Sequence, residues 1–70
     1  MQLKYTVAAG KYDGHERNTK YINDFGTLEE AFAVVDGKKL FVYPWCEIEI
    51  YGAHANLKYI IDCTAPMRIK

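Results

Sequence analysis

The sequence predicts a small α+β domain, an antiparallel sheet with its elements in the chain order ββαββ and one helix packed on one face. Three observations predict it. Residues 46–51 and 56–63 each alternate in side-chain character, the period of half-buried strands, and a loop-forming stretch, 52–55, joins them. Residues 27–37, TLEEAFAVVDG, carry apolar positions at helical spacing behind a helix-start signal. Leu3, Tyr5 and Val7 alternate with Lys4 and Thr6, a first strand that precedes a turn pair, Asp13-Gly14.

Asp13-Gly14 suits a type I′ turn, in which both central residues take positive φ. A two-residue loop there opposes Tyr12 to His15 and Lys11 to Glu16, and carries the returning strand through Asn18 to Ile22. The polar character of 10–20 leaves a mobile loop as the alternative. Asn23, Asp24 and Gly26 end this strand. Thr27 and Glu30 then form a capping box, and Leu28, Ala31, Phe32 and Val35 follow as one stripe facing the sheet. Glu29 and Glu30 sit at the positive end of the helix dipole, Lys38 and Lys39 beyond the negative end, and Gly37 is placed for a left-handed cap. About ten residues of helix are marginal alone, so docking must hold it, with Phe32 and Val35 as anchors.

Residues 40–51, LFVYPWCEIEIY, hold the densest apolar and aromatic content in the chain and are expected to be strand and mostly buried. Pro44 cannot donate to a ladder, so 40–43 is expected to be a bent lead-in or a separate short strand. In the following hairpin, a four-residue loop at 52–55 sets Ile50 against Leu57, Ile48 against Tyr59, Cys46 against Ile61 and Glu49 against Lys58. The sheet's other face then presents Glu47, Glu49, Tyr51, Lys58, Ile60 and Asp62 to solvent or a partner. One domain spans 1–70, with 63–70 expected to fray, including Met67, Arg68 and Ile69 beyond Pro66.

Half of the 70 residues are hydrophobic and a quarter charged, which is the composition of a folded globule and excludes a disordered tail. No apolar run reaches signal-peptide or membrane-span length, so a cytosolic location with no membrane role is expected. There Cys46 and Cys63 are expected to stay reduced and buried, although a bridge between them is geometrically conceivable. Net charge is zero but unevenly spread. Residues 24–62 carry Asp24, Glu29, Glu30, Asp36, Glu47, Glu49 and Asp62 against Lys38, Lys39 and Lys58. The stretch before them holds Lys4, Lys11, Arg17 and Lys20 against Asp13 and Glu16.

No reactive constellation stands out. Cys46, Cys63, His15 and His54 lack metal-ligand spacing, so no metal or cofactor is expected. A cysteine on the core face is an inert thiol and a poor nucleophile. Glu47 and Glu49 share a strand face, but a solvated face explains them better than an acid-base pair, because so small a domain has little room for a cleft. The chain is therefore not expected to be an enzyme.

Nucleic-acid binding needs cations for phosphate and aromatics for stacking, which Tyr12, Arg17, Lys20 and Tyr21 of the first hairpin supply in part. The acidic middle favours a protein with a basic surface as partner, recognised by Glu47, Glu49 and Tyr51 with the helix start Glu29 and Glu30. A second copy of the chain closing the open face or edge, giving a homodimer, is equally compatible with the pattern.

In outline, and through the segments FGTLEEAFAVVDG and YPWCEIEIYG, the chain resembles the small single-domain proteins with which bacteriophages inhibit host or defence enzymes. The resemblance implies a stoichiometric binder in the host cytoplasm that blocks a basic, nucleic-acid-binding surface, and it assigns no individual residues.

Overall fold

The computed structural model of the chain describes residues 3–64. The order of elements is β1 (Lys4–Asp13), β2 (Glu16–Phe25), α1 (Leu28–Gly37), a 3-10 turn (Leu40–Val42), β3 (Trp45–Tyr51) and β4 (Leu57–Asp62). The four strands form one antiparallel sheet ordered β2-β1-β3-β4, so the two hairpins predicted from alternation are joined through β1 and β3 at the centre.

The sheet is covered on one side. Val7 and Ala9 of β1 and Cys46, Ile48 and Ile50 of β3 face Ala31 and Val35 of α1 and Leu40 of the 3-10 turn, all buried. Tyr5, Tyr21, Phe25, Leu28 and Phe32 pack around this cluster. Helix docking thus runs through the small Ala31 and the β-branched Val35, while Phe32, expected as an anchor, lies half-buried at the margin. Thr27 caps α1 as the sequence predicts, its Oγ1 accepting from the Glu30 N-H at 3.1 Å. Replacing Thr27 with alanine strands that N-H and is expected to lower stability by about 1 kcal/mol in urea unfolding.

Several local expectations are corrected. The first hairpin loop is Gly14-His15, since Asp13 already pairs with Glu16, and Tyr12 therefore opposes Arg17 rather than His15. Gly14 has φ 67° and His15 is not among the positive-φ residues, the pattern of a type II′ turn with glycine at its first central position. The polar 10–20 stretch is strand on both sides of that turn, and β2 continues to Phe25 because Phe25 and Tyr5 share the covered face. The left-handed residue after α1 is Lys39 (φ 55°), two positions beyond Gly37. Residues 40–42 are a 3-10 turn, not strand, which lets Leu40 drop into the core before β3 begins at Trp45.

The second hairpin keeps the predicted faces of Tyr59, Ile61 and Cys63, but not its register, and Leu57 moves from the core face to the side of Tyr51. Ile50 pairs with Tyr59 and Ile48 with Ile61, while Leu57 and Lys58 together oppose Tyr51 across a bulge. A two-residue shift in register leaves each side chain on its own face. It also brings the cysteines directly opposite each other. The Cys63 N-H donates to the Cys46 carbonyl at 2.8 Å, and the Cys46 N-H donates to Thr64 Oγ1 at 3.3 Å. Cys63 is therefore buried and anchored rather than the start of a frayed tail; the rest of that tail, with Met67, Arg68 and Ile69, lies outside the described residues.

Candidate functional site

The uncovered face of the sheet follows from the pairing. Reading across β2, β1, β3 and β4, one row is Ile22, Ala8, Glu47, Asp62, and the next is Asp24, Thr6, Glu49, Ile60. Lys4 and Tyr51 flank these rows on one side, and Gly10 with Trp45 on the other.

Along β3, Trp45, Glu47, Glu49 and Tyr51 alternate with the core residues and form a connected string on this face. The Trp45 indole lies over Gly10 and donates Nε1-H to the Lys11 carbonyl at 2.9 Å. Arg17 reaches across from β2, its guanidinium 4.5 Å from the indole ring centroid and 3.0 Å from Glu47 Oε1. Tyr51 Oη donates to Glu49 Oε1 at 2.5 Å, and Lys4 Nζ lies 5.3 Å from the Tyr51 ring centroid. On the neighbouring strands Thr6 Oγ1 donates to Asp24 Oδ1 at 2.7 Å, and Lys4 Nζ approaches Asp24 Oδ2 at 3.9 Å.

The two glutamates differ in environment. The Glu47 side chain is only 9% exposed; burial and its hydrogen bond with Glu49 push its carboxyl above the usual range, against the opposing pull of Arg17. Glu49 is held below the usual range, first by its hydrogen bond with Glu47 and also by the Tyr51 hydroxyl. A proton entering the pair therefore rests on Glu47, and Glu49 stays ionised. Asp62 is also held low, by the Thr64 hydroxyl and the Thr64 N-H that reaches Asp62 Oδ1 at 2.9 Å.

The structure brings Glu47, Glu49 and Tyr51 together and separates them from Glu29 and Glu30, which are exposed at the start of a helix on the opposite face of the sheet. The basic hairpin is likewise divided. Tyr12 and Arg17 pair on the uncovered face, Tyr21 packs against the core, and Lys20 is the extra residue at a bulge between Ala9 and Gly10. Three participants escaped the sequence reading. Trp45 was legible from the alternation that places it with Glu47, but Pro44 obscured the strand start. By sequence Asp24 is a strand terminator, and nothing in the sequence links Gly10 to Trp45.

Among the described residues no group of three or more His, Cys, Asp or Glu is arranged to hold a metal ion, and no helix is long and apolar enough to cross a membrane. The Cys46 thiol is raised far beyond the ordinary thiol range by its hydrogen bond with Cys63 and by burial, which makes it unreactive as a nucleophile. A shallow pocket of about 440 Å³ lies at the end of the sheet, between Leu3, Lys4, Phe25 and the Gly52 loop, remote from Glu47 and with Lys4 as its sole titratable lining residue.

Compared with known proteins, the chain matches no family model, no curated protein sequence and no solved structure. Its chemistry must be read from its own side chains. The uncovered face offers fixed carboxylates beside exposed isoleucines.

Proposed function

We propose that the chain is a non-enzymatic protein-binding module whose uncovered sheet face receives a basic segment of a partner protein. The observation that carries the reading is the placement of Asp24, Glu49 and Asp62 on three strands of one face, with Ile22 and Ile60 exposed beside them. Strand spacing puts these carboxylates within about 15 Å of one another, a span that lysines and arginines on one short partner segment cover. The face is preorganised, because the string from Arg17 to Tyr51 holds Glu47 and Glu49 in place before any partner arrives. The exposed isoleucines beside the carboxylates supply apolar contact as well as electrostatic attraction.

The finer form of the proposal is that the bound surface ordinarily holds nucleic acid, so that the chain acts as an inhibitor by occupying it. Direct nucleic-acid binding by the first hairpin is less well supported, since Arg17 is engaged by Glu47 and Tyr21 by the core.

Titration of the labelled chain with an arginine-rich peptide, followed by amide chemical shifts at low salt, tests the reading. Shifts are expected at Asp24, Glu49 and Asp62, weakening as salt is raised. Reversing two of these charges, Asp24→Lys with Glu49→Lys, is expected to weaken binding at least tenfold. Peptide shifts that avoid this face, or oligonucleotide shifts centred on Tyr12 and Lys20, would defeat it.

A further inference from the structure

β4 is an outer strand, bonded to β3 on one side, and among the described residues no segment pairs with its other edge. The Cys63 to Cys46 hydrogen bond fixes which of its backbone groups face inward. By alternation, Ile60 and Asp62 turn their N-H and C=O groups outward, and Lys58, the extra residue at the bulge, precedes them without a partner residue on β3. Soluble proteins usually blunt such an edge with charge, proline or a covering element. The opposite edge, β2, is blunted in this way by Glu16, Arg17, Asn18, Lys20, Asn23 and Asp24. β4 is not. Its Leu57, Tyr59 and Ile60 are 49%, 69% and 54% exposed, and α1 packs over β1 and β2, leaving the covered side of the sheet open beneath Tyr59.

The geometry points to a second copy of this chain as the occupant, β4 pairing antiparallel with β4 of the partner about a two-fold axis at Ile60. Residues paired across such an axis share a face, so the possible registers differ by steps of two. With Ile60 on the axis, Lys58 opposes the partner's Asp62, Asp62 opposes the partner's Lys58, and Tyr59 opposes the partner's Ile61. Opposite charges meet twice, and apolar residues meet apolar residues on both faces. Moving the axis to Tyr59 sets Lys58 against the partner's Ile60, and moving it to Ile61 sets Asp62 there. Only the Ile60 register is self-complementary in charge, which favours a copy of the chain over an unrelated strand. The outcome is a continuous eight-stranded sheet with both helices on one side and both acidic faces on the other. This pairing does not depend on the protein-binding reading above, which a monomer satisfies equally well.

Sedimentation equilibrium of the full chain over a concentration series tests it. A reversible dimer is expected. Lys58→Glu and Asp62→Lys are each expected to raise the dimer dissociation constant about tenfold, since each turns two attractive pairs into repulsive ones. The combined Lys58→Glu, Asp62→Lys swap is expected to return it to within a few-fold of the original. Both positions are exposed, and circular dichroism checks that each variant is folded. If Asp62→Lys disturbs the chain end, Ile60→Lys, which places like charges together at the axis, is expected to give a folded monomer. A single-chain mass at every concentration up to the millimolar range would overturn the dimer. A dimer indifferent to Lys58→Glu and Ile60→Lys would overturn the edge, and a swap variant as weak as the single reversals would overturn the register.

Discussion

Substituting Gly10 with alanine is expected to remove about 3 kcal/mol or more of stability, a large share of the roughly 4 to 10 kcal/mol that a domain of this length possesses. A Cβ at this position would lie 2.1 Å from the Asn18 carbonyl oxygen, 2.9 Å from Thr19 Cα and 2.9 Å from Trp45 Cζ2. The first two are backbone atoms of the paired strand and cannot retreat without opening the β1 to β2 ladder where a bulge already interrupts it. The third is the indole that spans β1 to reach the Lys11 carbonyl and supports Arg17. The damage should therefore appear in two signals: a lower urea midpoint by circular dichroism, and altered Trp45 fluorescence in native buffer as the ring is displaced. Gly37→Ala provides the contrast, because nothing lies within 4 Å of its Cβ and φ there is not positive; in the same assay it is expected to be neutral or slightly stabilising. Equal behaviour of the two variants would show that the close approach at Gly10 is not what holds the strands in place.

Gly10 also marks the limit of what alternation reveals. Period-two patterns gave the first strand and the two strands of the last hairpin, the Asp13-Gly14 pair pointed to the second strand, and parity divided most side chains between faces, because burial on one face penalises any odd slip. Thr27 and the stripe behind it gave the helix for a similarly local reason. What the pattern leaves open is decided by longer-range contacts. The two-residue shift in the second hairpin preserves the faces of Tyr59, Ile61 and Cys63 and is therefore invisible to hydrophobic periodicity; the bulge at Leu57 and Lys58 sets it and turns Leu57, expected on the core face, to the side of Tyr51. The apolar run 40–43 reads as strand by composition, yet Leu40 serves the core better from a 3-10 turn. The positive-φ positions at Lys39 and Ala55 carry no glycine to announce them. The site was half legible for the same reason. Glu47, Glu49 and Tyr51 share a face by parity, but grouping them with Glu29 and Glu30 required knowing which side of the sheet the helix covers.

Arg17→Leu is expected to destabilise the protein by about 1 to 3 kcal/mol near neutral pH, and to do so in a pH-dependent way. The leucine keeps an apolar side chain against Trp45 but leaves the Glu47 carboxylate, almost wholly buried, without its cation. The value lies below that of a fully buried pair because the Arg17 side chain is 49% exposed and water screens part of the attraction. In the native protein Arg17 pulls the Glu47 carboxyl down while burial and Glu49 push it up; without Arg17 the upward shift grows. A carboxyl whose pKa is higher folded than unfolded binds more protons in the folded state, so its unfavourable contribution is present above the folded pKa and relieved as pH falls through it. The stability gap between Arg17→Leu and the parent should thus narrow on acidification from about pH 7 toward the ordinary glutamate range near about 4.3. In a Glu47→Gln background, where no charge is stranded, Arg17→Leu should cost less at neutral pH and show little of this dependence. A gap constant with pH in both backgrounds would mean that Arg17 acts only by packing on Trp45. The electrostatic outcome has a consequence for the uncovered face: by stabilising a charge on Glu47, Arg17 opposes proton uptake by the glutamate pair.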